Sequence, residues 1–320
     1  MGLTISTFIA RRVLMLVALL LVISFIIFSL LYLAPGNAID ILLGSQPRTP
    51  ETVKILTEQY HLDDPFFTQY WFWLKNALHF DFGTSTQTTL QVADEIKARL
   101  PTSLFLGLFA FALELPFGLL LGILAAFKRR TAIDRGLVAL SVVGLSIPAF
   151  VGGVLLLYVF AVQLKWFPVF GAGTGFVDGI AHLTLPAISL AIVGAAYFVK
   201  HTRAAVISAI DQDYVMFARA RGLSSTTVML KYILRNALIP ILGLSAMMLS
   251  YLVVGAVMVE VTFSINGIGQ LLVQAASSQD MPLIQGVGLL IAALVMVTNL
   301  VADLAYFAID PRIRLRSAQK

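Results

Sequence analysis

Six stretches of this chain are each apolar over about 20 residues or more, the length needed to cross the hydrocarbon core of a bilayer. They fall at about 13–34, 102–127, 137–163, 182–203, 238–259 and 283–307. A chain so patterned has few folding options, because lipid offers no hydrogen bonds and each spanning backbone must satisfy itself as a helix. The expected fold is therefore all-α and polytopic, with six transmembrane helices. Composition agrees, since only 12% of the 320 residues are charged, against about a quarter in soluble domains. The first run follows Arg11 and Arg12. Its uncharged stretch from Val13 to Leu33 is longer than a signal-peptide core of about 7–15 residues, so it reads as a retained helix.

Charge between the runs gives the expected orientation. With the N-terminus inside, the inner side holds Arg11, Arg12, Lys128, Arg129, Arg130, Arg135, Lys200, Arg203, Arg219, Arg221, Lys231, Arg235, Arg312, Arg314, Arg316 and Lys320. The outer side holds Arg48, Lys54, Lys75, Lys97, Arg99 and Lys165. Basic residues collect on the cytoplasmic side, so the expectation is N-in/C-in. It divides the chain into a cytoplasmic N-terminus (1–12), an extracytoplasmic segment (35–101), a cytoplasmic loop (204–237), an extracytoplasmic loop (260–282) and a cytoplasmic tail (308–320).

The outer segment opens at Pro35-Gly36 and carries eight acids: Asp40, Glu51, Glu58, Asp63, Asp64, Asp81, Asp94 and Glu95. Glu51–Tyr60 reads as a short amphipathic helix and Asp63-Asp64-Pro65 as a turn. The aromatic cluster from Phe66 to Trp73 suits a membrane–water interface. The segment is too small for a catalytic domain and reads as a lid or rim.

Several chemistries are excluded. Without cysteine there is no disulfide framework, thiolate metal site or Cys nucleophile. The four histidines form no pair at metal-ligand spacing, and neither a phosphate loop nor a nucleophile elbow occurs. If nucleotide powers this protein, another chain binds it. Within the spans, Glu114 stands out: an acid at that depth costs about 2.5–3.5 kcal/mol on insertion scales and must face protein or water. It is either a pathway-lining or substrate-sensing carboxylate, or a helix–helix hydrogen bond. Pro116, Pro148 and Pro186 interrupt spans, and proline kinks a helix by removing a donor. Gly118 and Gly122 have the GxxxG spacing that permits close helix approach.

The polar stretch Asp211–Pro240, DQDYVMFARARGLSSTTVMLKYILRNALIP, carries the most functional information. Asp211 or Asp213 can cap a helix. Tyr214, Phe217, Ala218 and Arg221 then share a face, Arg219 sits near the C-terminal end, and Gly222 breaks the helix. Ser224, Ser225 or Thr226 restarts it, with Pro240 opening the fifth span. Small Ala218 and Ala220 would let the short helix sit close in a partner groove, with Tyr214 and Phe217 as anchors. A helix lying in the inner leaflet fits the same pattern.

This stretch resembles the EAA-type coupling loop of ABC importer permeases, in the DYVxxARAxGL…LRNALIP form of the dipeptide/oligopeptide/nickel family. Further resemblances run nearly the length of the chain: Arg11-Arg12, Leu33-Ala34-Pro35-Gly36, Gly144-Leu145-Ser146-Ile147-Pro148, Val259-Glu260…Gly267-Ile268-Gly269, Asp280–Gly286 and Asp310-Pro311-Arg312. Two positions depart from the general EAA pattern, Met216 in place of its acid and Arg235 in place of its first proline, as is typical of the peptide branch.

The resemblance implies a type I ABC importer permease fold in a bacterial or archaeal plasma membrane. The implied partners are a second permease, two cytoplasmic ATPases carrying ATP and Mg²⁺, and an extracytoplasmic solute-binding protein that holds much of the selectivity. This chain itself is expected to bind no cofactor or metal, to meet no nucleic acid and not to be an enzyme. Asp213, Tyr214, Phe217, Ala218, Arg219, Ala220, Arg221, Gly222 and Leu223 become candidates for ATPase coupling. Glu114, Ser146 and Pro148 are pathway candidates, and Glu260, Gly267 and Asp280 candidates for an outer gate or binding-protein contact. The competing reading is an ion-coupled secondary transporter using Glu114 and Asp303 as membrane carboxylates.

Overall fold

A computed structural model describes residues 5–44 and 47–309. Residues 1–4 of the N-terminal segment, and the tail from 310 with its Asp310-Pro311-Arg312 motif, lie outside the described residues. The helices are α1 (Ile5–Leu33), α2 (Ala38–Leu43), α3 (Pro50–Gln59), α4 (Phe66–Leu78), α5 (Val92–Phe127), α6 (Ala132–Ser146), α7 (Ala149–Leu156), α8 (Gly175–Ile210), α9 (Asp213–Ala220), α10 (Ser225–Thr227), α11 (Arg235–Thr262), α12 (Ile268–Ser277) and α13 (Met281–Ile309). A π-helical turn, Leu157–Gln163, extends α7, and a second, Val228–Leu234, fuses α10 to α11. No strand occurs among the described residues, only an isolated bridge between Thr84 and Gln91.

The centre of the bundle is the seam between α5 and α8. Ideal Cβ atoms at Gly118 and Gly122 would fall on Phe198 and Thr202 respectively, and 2.9–3.0 Å from the carbonyls of Ala195 and Val199. Glu114 lies in turn on Gly194. The partner number rises by four with each turn, so the two helices run parallel, as close as their backbones permit. Without a hydrophobic drive between helices in lipid, such contact is the main source of association.

Two parallel helices require the chain between them to travel back. That return is α6 and α7, which are long and apolar enough to cross a bilayer only together and are bent by 101°. The single run expected at 137–163 is thus a broken one. Pro148 has no N–H and pushes Ile147 out of the helical region, and Ile147 is accordingly extended (φ −97°, ψ 119°). Pro116, Pro186 and Pro240 instead stay inside helices α5, α8 and α11. Pro240 therefore does not open its span as expected: that helix is already running from Ser225.

Helix α11 runs antiparallel to α8, with Met248 packed by Phe198 and Gly255 facing Leu190. Helix α13 starts beside Val92, at the beginning of α5. It returns alongside α1, to which it is tied by Gln285 donating to the Phe28 carbonyl (3.2 Å) and by the Arg12–Asp303 ion pair (3.3 Å). Among the described residues, five helices and one bent pair thus pass through the bundle. The Arg12 end of α1 and the Asp303 end of α13 lie at the same end as α9.

The segment before α5 folds over the other end. Helix α3 begins with a capping box at Thr49 and Thr52, in the place expected for the amphipathic helix. The aromatics expected at an interface form α4. Phe66, Tyr70 and Trp73, spaced i, i+4, i+7, pack on Phe25 and Phe28 of α1 at centroid distances of 5.3–5.8 Å. Trp71 points outward, and Phe67, largely exposed, stacks on Phe25 from the rim (6.3 Å).

Candidate functional site

At the α9 end the chain presents one short helix on a fixed base. Gln212, not Asp211 or Asp213, occupies the N-cap position, and its side chain makes no capping bond. Asp211 instead pairs with Arg129 (3.1 Å). About two turns back along α8, Arg203 grips Asp134 through two guanidinium nitrogens while Arg130 N–H donates to the same carboxylate (2.9 Å). These two pairs hold the α5–α6 connection to the end of α8.

Helix α9 turns Val215 and Ala218 inward, onto Ala126, Val206, Ala209, Val228, Ile233 and Ala237. The helical period predicts two faces, but the inner one is i, i+3 from Val215. Ala218 is only 3% exposed, so its small side chain serves the chain's own packing and not, as expected, a partner groove. Tyr214, Phe217, Arg219, Ala220 and Arg221 face out, with Phe217 62% exposed. Leu223 is partly exposed at 36%.

Gly222 ends the helix at φ +73°, the left-handed conformation that glycine adopts without penalty. Its N–H meets the Arg219 carbonyl (2.9 Å), and Leu223 N–H meets that of Ala218 (3.3 Å). Ser224 then caps the next helix by accepting from Thr227 N–H (3.3 Å).

The opposite end is held by buried acids. Glu260 is fully buried and accepts from Ser103 Oγ (2.6 Å), Gly269 N–H (2.7 Å) and Gln270 N–H (3.1 Å). It thereby caps α12, satisfying N–H groups of its first turn that have no partner within the helix. Ser103 Oγ also accepts from Ile268 N–H (2.8 Å), and a side chain at Gly267 would collide with the Glu260 carboxylate. Asp280 accepts from Ser85 Oγ (2.5 Å) and from Leu283 N–H (3.3 Å) at the start of α13. Nearby, burial and then the charges of Asp280 and Asp81 push the Tyr60 phenol up to about 12, so it stays neutral.

Glu260, Gly267 and Asp280 all lie in the interior. Expected at an outer gate or a binding-protein contact, these three residues hold the connection between α11 and α13 from within. A Glu260→Gln variant keeps the shape but replaces an acceptor oxygen with a donor, losing part of this network. The expected cost is about 1–3 kcal/mol, the penalty for leaving a buried polar group unpaired. Faster proteolysis between Phe263 and Asp280 and a lower melting temperature would register it.

Ser146 and Pro148 are exposed at the α6–α7 bend, and Ser146 Oγ donates to the Val142 carbonyl (2.9 Å). Neither lines the groove over Glu114. Sequence reasoning did not find Ser103, Val215 or the Asp134–Arg203 pair. Ser103 and Arg203 carry no local signal, because their partners lie 157 and 69 residues away.

Among the described residues, five helices and one bent pair long and apolar enough to cross a bilayer, with a short helix displayed at one end, define a polytopic membrane protein. Residues 118–315 match the family described as the binding-protein-dependent transport system inner membrane component, and residues 5–107 match its N-terminal region; the chain belongs to this family. It is thus a multi-pass protein of the bacterial inner membrane and a transport component, a role that implies an ATPase and a binding protein as partners.

Among relatives, a Brucella abortus (strain 2308) protein named "Putative peptide transport system permease protein" is 35% identical over 97% of this chain and 99% of its own length. The glutathione transport system permease protein GsiC of Escherichia coli (strain K12) is also 35% identical, over the same shares. An inward-facing structure of the MetNI methionine ABC transporter covers 68% of this chain and 96% of that chain, at 19% identity and a TM-score of 0.52. It shows the type I ABC importer permease fold.

Proposed function

We propose that this chain forms half of the translocation pathway of an ATP-driven importer for di- or oligopeptides, or related small solutes such as glutathione. A second permease would supply the other half, and two cytoplasmic ATPases would carry ATP and Mg²⁺. The observation that carries the coupling reading is the two-sided α9: Val215 and Ala218 are anchored in the bundle while Phe217, Arg219 and Arg221 are displayed. A helix held rigidly to α5, α8 and α11 transmits displacement to the bundle. Such coupling requires contacts that differ between the two states.

The basic residues around α9 favour a cytoplasmic position for this end. The peptide reading rests on the relatives named for peptide and glutathione transport. Membership of a binding-protein-dependent family sets aside the ion-coupled alternative, and Asp303, one of its two carboxylates, is paired with Arg12.

The test is assembly. Arg219→Glu reverses a displayed charge, and like charges facing across an interface cost several kcal/mol. Co-purification of the ATPases with this chain should fall about tenfold or more, a loss of at least about 1.4 kcal/mol. Unchanged recovery would count against α9 as the docking element.

A further inference from the structure

Five carboxylates are buried among the described residues: Glu95, Glu114, Asp134, Glu260 and Asp280. Four are served within the chain. Glu95 pairs with Arg99 and accepts from Thr88 (2.5 Å). Asp134 has Arg203 and the Arg130 N–H, Glu260 has Ser103 and two backbone donors, and Asp280 has Ser85 and Leu283 N–H. Glu114 is the exception. It is 1% exposed, and its Oε1 has no hydrogen-bond partner among the described residues. An acid at that depth carries an insertion cost of about 2.5–3.5 kcal/mol, and nothing described in this chain offsets it.

The surroundings narrow what could. Glu114 rests on the bare backbone of Gly194, where any side chain would overlap its carboxylate. It lies at the floor of a groove of about 450 Å³ between α5 and α8, walled by Phe109, Leu113, Phe117, Thr184, Ile188 and Ala195. The Thr184 hydroxyl already donates to the Ile180 carbonyl (2.6 Å). A metal ion would need several oxygen ligands, which these walls lack, and a lone water would find only the Glu114 carboxyl and the Thr184 lone pairs, the minimum it needs. A group that brings its own N–H donors and positive charge fits. Phe109 and Phe117 line the groove, and an aromatic face within reach attracts a cation, while the aliphatic walls accept the carbon chain behind it.

We propose that Glu114 and this groove form a transient subsite for the primary ammonium group of the transported solute. With no bond restraining Oε1, the flexible side chain turns into the groove when the seam loosens during transport, and the ammonium replaces the missing donor. The subsite rests on the peptide reading above, since every unblocked peptide carries such a group.

The test uses the complete importer in proteoliposomes, with trialanine as the probe. Glu114→Gln preserves volume and removes the charge. Uptake per ATP hydrolysed should fall at least tenfold, with the binding protein's affinity for trialanine unchanged, and Glu114→Asp should recover part of it. On the unmodified complex, dicyclohexylcarbodiimide, which attacks carboxyls in apolar surroundings, should label Glu114. Turnover with trialanine should slow that labelling several-fold, read by mass spectrometry of the peptide containing Glu114. Parental uptake by Glu114→Gln, or labelling indifferent to trialanine, overturns the subsite and leaves the peptide reading standing. No trialanine uptake by the unmodified complex overturns both.

Discussion

A Gly222→Val variant is expected to insert into the membrane and associate with its ATPases, yet to import at less than about a tenth of the parental rate while ATP hydrolysis continues. The physical cause is confined to the backbone. Gly222 sits at φ +73°, and a side-chain-bearing residue there pays about 1–2 kcal/mol, more for a β-branched one. A Cβ at this position would meet nothing within 4 Å, so no packing is disturbed. The turn can relieve the strain only by giving up the bonds from Gly222 N–H and Leu223 N–H to α9. Helix α9 then loses its fixed heading relative to α10 and α11. Gly222→Asn, whose side chain tolerates the left-handed region, should retain most uptake. Tight coupling in the valine variant, measured as solute moved per ATP, would refute the lever.

Gly118→Val should be more damaging, and to folding itself. The new Cβ would overlap Phe198 Cβ and lie 3.0 Å from the Ala195 carbonyl. One obstacle is fully buried and the other is backbone, so α5 and α8 must separate. Overpacking costs about 1–3 kcal/mol. Separation along the seam adds the loss of contacts at Gly122 and Gly194, so melting in detergent should fall by about 5–10 °C. Gly107→Ala on the same helix is the control, because a Cβ there meets nothing within 4 Å. Equal melting of the Gly118 and Gly107 variants would mean the seam is not the centre of stability.

The helical segments were legible in the sequence because lipid forces apolar runs of fixed length, and the close approach of Gly118 and Gly122 was legible as spacing. The sharpness of the α6–α7 bend was not. Pro148 announces a kink, but its angle depends on what the two halves pack against. At α9 the helical period shows that two faces exist without saying which is inside. Tyr214 and Phe217 are the larger side chains, yet Val215 and Ala218 are the ones that fit the cluster beneath. The acids Glu260 and Asp280 look like loop charges until Ser103 and Ser85, 157 and 195 residues away, are brought to them. Local pattern reads local structure well; a hydrogen bond across such a separation leaves no trace in it.

The parallel seam of α5 and α8 also bears on how such a chain can diversify. Contacts 114 with 194, 118 with 198 and 122 with 202 share one offset, which counts the residues of everything between the two helices. Insertions and deletions in the stretch 164–174, outside any helix, change that offset without touching the seam. A single residue added inside either helix shifts every contact beyond it by about 100°. Relatives can therefore vary freely in the length of this connection, while the four-residue steps within α5 and α8 are locked together as a ruler that neither helix can rewrite alone.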